Sequence, residues 1–105
     1  METVEIKSAQ KIRLSTGIRF RAVEDEGVLV HLRNSRALVV NGVGMHILEA
    51  LGRHQTMTVA ELAETVASTF EVSADRAQSD VAAFIAQLKK EEVVDIVGAL
   101  DPKRK

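Results

Sequence analysis

The feature that most constrains the fold of this chain is a change in the spacing of its apolar residues near residue 42. Between residues 17 and 41, apolar and polar residues alternate with a period of two, which is typical of strands with one buried face. Between residues 43 and 90, apolar residues recur with the helical period of 3.6 residues. The pattern predicts an α+β fold with strands first and helices second.

Three short strands are predicted in the first half, over residues 17–23, 28–33 and 36–41. Short polar turns join them, so an antiparallel β-meander is expected. The third strand, Arg36 to Val40, carries almost no charge. Such a strand is either an open edge that can accept another strand or a central strand covered by a helix. The sequence leaves both interpretations open.

Three helices are predicted to follow as a bundle. Each start is marked by a capping residue, namely Asn41, Thr58 (in a capping box with Glu61) and Ser73. The first helix is predicted from Val43 to Leu51, with Gly52 in the left-handed position that ends it. Gly44 is expected to let this helix approach the sheet closely.

The chain ends are predicted to lie outside the main domain. Residues 1–12 are expected to form a flexible arm, with an extra strand around Val4 to Ile6 as the alternative. Residues 13–97 form the domain, in which residues 93–97 are either a last strand or an extended segment packed on the helices. Residues 98–105 are predicted to be a disordered tail.

Composition excludes several classes of protein. The chain has 105 residues, 46% of them hydrophobic, which suffices for a single core but not for a multidomain enzyme. It has no cysteine, so disulfides and thiolate metal sites are excluded. No stretch approaches the roughly 20 apolar residues of a membrane span. We expect no signal sequence, because the first residues alternate charged with apolar side chains and form no apolar run. We therefore expect a cytoplasmic protein with no membrane partner.

The sequence offers little for catalysis. His31, His46 and His54 have no spacing that would converge on a metal ion, and they are expected to be surface or partly buried side chains. Neither a nucleophile elbow nor an HExxH motif occurs. No catalytic residue, metal or cofactor is expected, and the chain is predicted not to be an enzyme.

The predicted helices and strands also fit a winged helix-turn-helix, whose usual function is to bind DNA through its third helix. The formal charge of −1 and the presence of only three aromatic residues are atypical of a nucleic-acid-binding domain. Asp75 and Asp80 would face phosphates on the third helix with only Arg76 to offset them. Nucleic acid is therefore not an expected partner, although a DNA-binding regulator and a non-catalytic subunit of a larger enzyme remain alternatives.

Four segments, residues 12–21, 38–51, 58–62 and 80–88, together with Val72, resemble the PqqD family in order and spacing. The resemblance covers roughly residues 11–97. It implies a small peptide chaperone, also called a recognition element for ribosomally synthesised and post-translationally modified peptides (RiPPs), with a winged helix-turn-helix-like fold. Members bind the leader of a precursor peptide and present it to a modifying enzyme, typically a radical SAM protein.

The resemblance also implies a binding site. The leader adds as a strand beside the third strand and places apolar side chains against the third helix. On this chain the implied peptide-binding residues are Arg36, Ala37, Leu38, Val39, Val40, Arg76, Asp80, Ala83, Phe84 and Gln87. Members devoted to pyrroloquinoline quinone usually carry a Trp in the second strand, which this chain lacks, so its pathway stays open. The exposed edge also permits a homodimer by strand exchange.

Overall fold

A computed structural model of the protein describes residues 6–7 and 9–97. Its elements in chain order are β1 (Lys11–Leu14), β2 (Ile18–Val23), β3 (Glu26–His31), β4 (Arg36–Val40), α1 (Gly42–His54), β5 (Met57–Thr58), α2 (Val59–Phe70), α3 (Ala74–Lys90) and β6 (Val94–Val97). The predicted α+β fold, a three-stranded antiparallel meander followed by three helices, is confirmed. No helix within these described ranges has the length and apolar character needed to cross a bilayer.

The meander consists of β2, β3 and β4 in that order. Its register places Leu29 opposite both Phe20 and Leu38. Because side chains alternate between the two faces of a strand, these three residues share the face that packs on the helices. Leu29 is fully buried there. In the described chain β4 pairs only with β3, so it is an edge strand and not a central one.

A second sheet, in the order β5, β1, β6, was not predicted. Its central strand β1 includes Ile12, which is fully buried and lies opposite Met57 and Ile96. Lys11 and Ile12 were assigned to the flexible arm, and this boundary is wrong because Ile12 is part of the core. Residues 93–97 were expected to be either a last strand or an extended segment, and the strand is confirmed as β6.

The predicted chain ends are only partly described. The alternative strand around Val4 to Ile6 falls mostly on residues 1–5, which lie outside the described residues, and Ile6 is in no strand. The predicted tail, residues 98–105, also lies outside them.

Capping residues start the helices as predicted. The N-cap side chains of Asn41, Thr58 and Ser73 accept hydrogen bonds from the backbone N–H groups of Gly44, Glu61 and Arg76. The predicted end of α1 at Gly52 is wrong, since the helix continues to His54 and Gln55 follows it with a φ of 68°. A Cβ on Gly52 would lie 3.2 Å from Cζ of Phe20, at the end of that ring.

Candidate functional site

The edge strand β4 offers a stretch of backbone that could pair with another chain. Within the described residues its outer side has no strand partner. Alternate residues of such a strand direct their N–H and C=O groups away from the sheet. Arg36 is its only charged residue, and the Val39 side chain is 70% exposed. Apart from Arg36, the edge carries none of the charges, prolines and bulges with which proteins usually block strand addition.

A groove of about 230 Å³ runs between this edge and α3. Residues of β4 and the start of α1 form one wall, and residues from the second half of α3 form the other. The lining residues are Leu38, Val39, Val40, Asn41, Phe84, Gln87, Leu88 and Glu91. Leu38, Val40, Phe84 and Leu88 supply apolar side chains, and amides and one carboxylate stand among them. Val39 borders the groove from the strand edge, since its side chain alternates with those of Leu38 and Val40.

Gly44 determines where the Phe84 ring lies. A Cβ on Gly44 would lie 2.9 Å from Cζ of Phe84 and 3.1 Å from Cβ of Val40. Because no side chain is present, Phe84 packs directly over α1 beside the end of β4. The predicted close approach at Gly44 is thus confirmed, and half-buried Phe84 belongs to both the core and the groove wall.

An ion pair links the two walls at the beginning of β4. Arg36 Nη2 lies 2.9 Å from Oε1 of Glu91, the C-cap residue of α3. The two side chains are 54% and 27% exposed, so the pair contributes at most about 1 kcal/mol to stability. Its main effect is electrostatic, because it neutralises the carboxylate that lines the groove.

The structure brings together some of the residues implied by the resemblance. Leu38, Val39, Val40, Phe84 and Gln87 line the groove, while Arg36 reaches it through Glu91 and Ala37 is exposed on the same strand. Arg76, Asp80 and Ala83 lie outside the lining, nearer the N-terminus of α3. Arg76 Nε donates a hydrogen bond to Oδ2 of Asp80 over 3.1 Å, so these two side chains form a pair with each other.

Asn41, Leu88 and Glu91 line the groove but were not identified from the sequence. Helical spacing gives a signal for the latter two, since residues four apart share a helix face. Leu88 follows Phe84 by four residues, and Glu91 follows Gln87 by four.

The three histidines lie apart from this groove. His31 is only 4% exposed, which corrects the expectation of a surface or partly buried ring, and its Nε2 donates to the Glu92 carbonyl over 3.0 Å. His46 Nε2 is 2.7 Å from the hydroxyl of Thr65. His54 is exposed at the end of α1. Within residues 6–7 and 9–97, no group of three His, Asp or Glu side chains is arranged to hold a metal ion.

The meander, the three helices and the open edge facing α3 together define a winged helix-turn-helix-like domain built around an accessible strand. A comparison with models of protein families identifies the family of this domain. The family model for coenzyme PQQ synthesis protein D (PqqD) matches residues 26–94, and the chain belongs to this family. A comparison with curated protein sequences gave no match.

Solved structures share this fold. The PqqD truncation of Methylobacterium extorquens PqqCD, a solution NMR structure described as a functional and stand-alone RiPP recognition element, has a TM-score of 0.72 at 20% identity, with 86% of this chain and 94% of that chain covered. TbiB1 in complex with the TbiA(beta) leader peptide has a TM-score of 0.70 at 21% identity, covering 85% and 99%. Lasso peptide synthetase B1 complexed with the leader peptide has a TM-score of 0.67 at 24% identity, covering 80% and 96%.

Proposed function

We propose that this protein is a non-catalytic recognition element that binds the leader of a ribosomally made precursor peptide and presents it to a modifying enzyme. The observation that carries the proposal is the open, almost uncharged edge of β4 beside the groove against α3. Two of the structurally similar proteins, TbiB1 and lasso peptide synthetase B1, were solved with leader peptides.

The leader binds as a fourth strand of the meander. Main-chain hydrogen bonds to β4 supply affinity without regard to side chains, and alternate side chains of the added strand supply specificity. Those that point to the helical side enter the groove among Leu38, Phe84 and Leu88. Gln87 offers an amide to any polar group that enters beside them.

The remaining implied residues act at the two ends of the groove. Arg36 and Glu91 bound one end through their ion pair. Arg76, Asp80 and Ala83 are exposed further along α3, where a leader longer than the groove passes over them. Asp80 is already bonded to Arg76, so its effect on the leader is exerted through that pair.

The modifying enzyme is of the radical SAM class or another class that acts on precursor peptides, and the encounter takes place in the cytoplasm. The DNA-binding alternative gains no support from α3. At its N-terminal end the Arg76 guanidinium is bonded to Asp80, and Asp75 adds a further negative charge. Phosphate contacts need unpaired cations at such a position.

The neighbouring genes are first searched for a short precursor peptide, and titration calorimetry with its synthetic leader then tests the proposal. Val39→Pro removes one backbone donor from β4, and we expect it to weaken leader binding at least about tenfold. Ala22→Pro is the matched control, because it places proline on β2, the opposite edge of the same sheet. Circular dichroism establishes that both variants fold.

Amide hydrogen exchange of the unmodified protein gives a second measurement that does not depend on the variants. Leader binding is expected to raise protection at alternate residues of β4, between Arg36 and Val40. Unchanged affinity in folded Val39→Pro, or protection confined to other elements, would overturn strand addition. Salt-dependent binding to duplex DNA in place of the leader would favour a regulator.

A further inference from the structure

The face of the meander opposite the helices carries an apolar strip. The register pairs Val28 with Val39 and Val30 with Ala37. These residues alternate with the buried residues Leu29 and Val40, so they project from the outer face. Val39 is 70% exposed, and Val28 and Val30 are half-buried between their neighbours. We call this strip, Val28, Val30, Ala37 and Val39, the outer strip.

The sequence of these strands is unusual for a sheet that has water on one side. A half-exposed strand alternates apolar with polar residues, whereas a strand covered on both faces is apolar throughout. Residues 28–30 and 37–40 are apolar without interruption. Val23 at the end of β2 and Leu32 just after β3 are further exposed apolar residues, at 48% and 54% exposure. Apolar residues grouped on one face of a sheet in this way are typical of an interface.

Two arginines flank the outer strip on β2. Arg19 lies opposite Val30 and Arg21 opposite Val28, and both side chains are exposed. The ion pairs found in the described part of the chain are Arg36–Glu91 and Arg76–Asp80, and neither involves these two residues. A partner that covers the outer strip therefore meets an apolar centre with two cations along one side. Its complement is an apolar surface edged by carboxylates.

We propose that the outer strip with Arg19 and Arg21 is the docking surface for the modifying enzyme. This inference rests on the proposed function. A leader added beside β4 extends the same face, because its outward side chains come to lie next to Ala37 and Val39. The enzyme that covers this face touches the recognition domain and the bound leader at once, so leader binding strengthens enzyme binding.

The test uses the synthetic leader and the purified enzyme that modifies the corresponding precursor peptide. Arg19→Glu/Arg21→Glu reverses both charges on the docking face. Arg13→Glu/Arg53→Glu is the matched control, since it makes the same change in net charge at exposed positions of β1 and α1. We expect the first variant to weaken enzyme binding at least about tenfold and leader binding by less than about twofold. The control should leave both affinities unchanged.

A milder variant, Val30→Thr, keeps a β-branched residue in β3 and tests the strip if the charge-reversed protein does not fold. Enzyme affinity that is the same in unmodified and variant proteins overturns the inference. Unmodified protein that binds leader but not enzyme also overturns it. A dimer of the unmodified protein that the charge reversal dissociates overturns it as well, because the outer strip is then covered by a second copy. Loss of leader binding in the unmodified protein would instead refute the proposed function.

Discussion

At the scale of single residues, two glycines of α1 should respond oppositely to the same substitution. Glycine to alanine within a helix normally stabilises it by about 1 kcal/mol. Gly44→Ala should instead lower the free energy of unfolding by about 1 kcal/mol, because its Cβ would collide with Phe84 and Val40. The Cβ added by Gly52→Ala would meet only the end of the Phe20 ring, at 3.2 Å, so this substitution should be neutral or stabilising. Urea denaturation of both variants measures the difference.

Gly44→Ala should also change leader affinity, in addition to its effect on the free energy of unfolding. Moving the Phe84 ring changes the wall of the groove, so leader affinity should fall in Gly44→Ala and stay unchanged in Gly52→Ala. Equal leader affinity in the two variants would show that the position of the Phe84 ring does not matter for recognition.

Single residues also show where sequence reasoning ends. The close approach at Gly44 could be predicted, because a glycine at a strand-to-helix corner usually serves a tight turn or close packing. The sequence could not distinguish Arg76 and Asp80 as a mutual pair from two groove residues, since both arrangements need the same four-residue spacing. Nor could it reveal that His31 is buried, because its partner is the carbonyl of Glu92, 61 residues away.

At the scale of elements, the start of α2 can be weakened without affecting the groove. Thr58 accepts a hydrogen bond from the backbone N–H of Glu61 over 3.0 Å, and the Glu61 side chain accepts one from the Thr58 backbone over 2.9 Å. Thr58→Ala should reduce the free energy of unfolding by about 1 kcal/mol. The control, Thr69→Ala in the exposed last turn of α2, should change it little.

Leader titration separates this effect from recognition. Thr58 belongs to β5 and the cap of α2, and it does not line the groove. Thr58→Ala measured at a temperature where it remains folded should therefore bind leader as the unmodified chain does. A matching loss of affinity would mean that α2 influences the groove through the helix packing.

Elements with strong local signals were predictable, whereas the second sheet was not. A capping box and a change of hydrophobic period are contained within a few residues, so the meander and helix starts could be inferred. The strands β1, β5 and β6 contain four, two and four residues. They pair residues separated by up to 86 positions, as in Lys11 opposite Val97, and no local pattern encodes such a pairing.

At the scale of the whole molecule, the second sheet holds the beginning and end of the described chain against the helices. Ile12 is fully buried between β5 and β6 and belongs to the same core cluster as Leu29 and Val40 of the meander. The segment matched by the family model, residues 26–94, contains neither β1 nor β2. That segment therefore lacks β1, three of the four residues of β6, the edge strand β2 and the buried Ile12.

We predict that residues 26–94 do not fold on their own. Without β1 and residues 95–97 of β6 the second sheet cannot form, and without β2 the first edge strand of the meander is removed. Truncating a buried isoleucine such as Ile12 to alanine already costs about 2–5 kcal/mol, a large share of the stability of a small domain. The fragment should show no cooperative urea transition and poorly dispersed amide resonances, whereas residues 9–97, which retain every described strand, should show both a transition and dispersed resonances. A well-dispersed spectrum from residues 26–94 would mean that β3, β4 and the helices form a sufficient core, and that the second sheet is an addition to the domain and not part of what stabilises it.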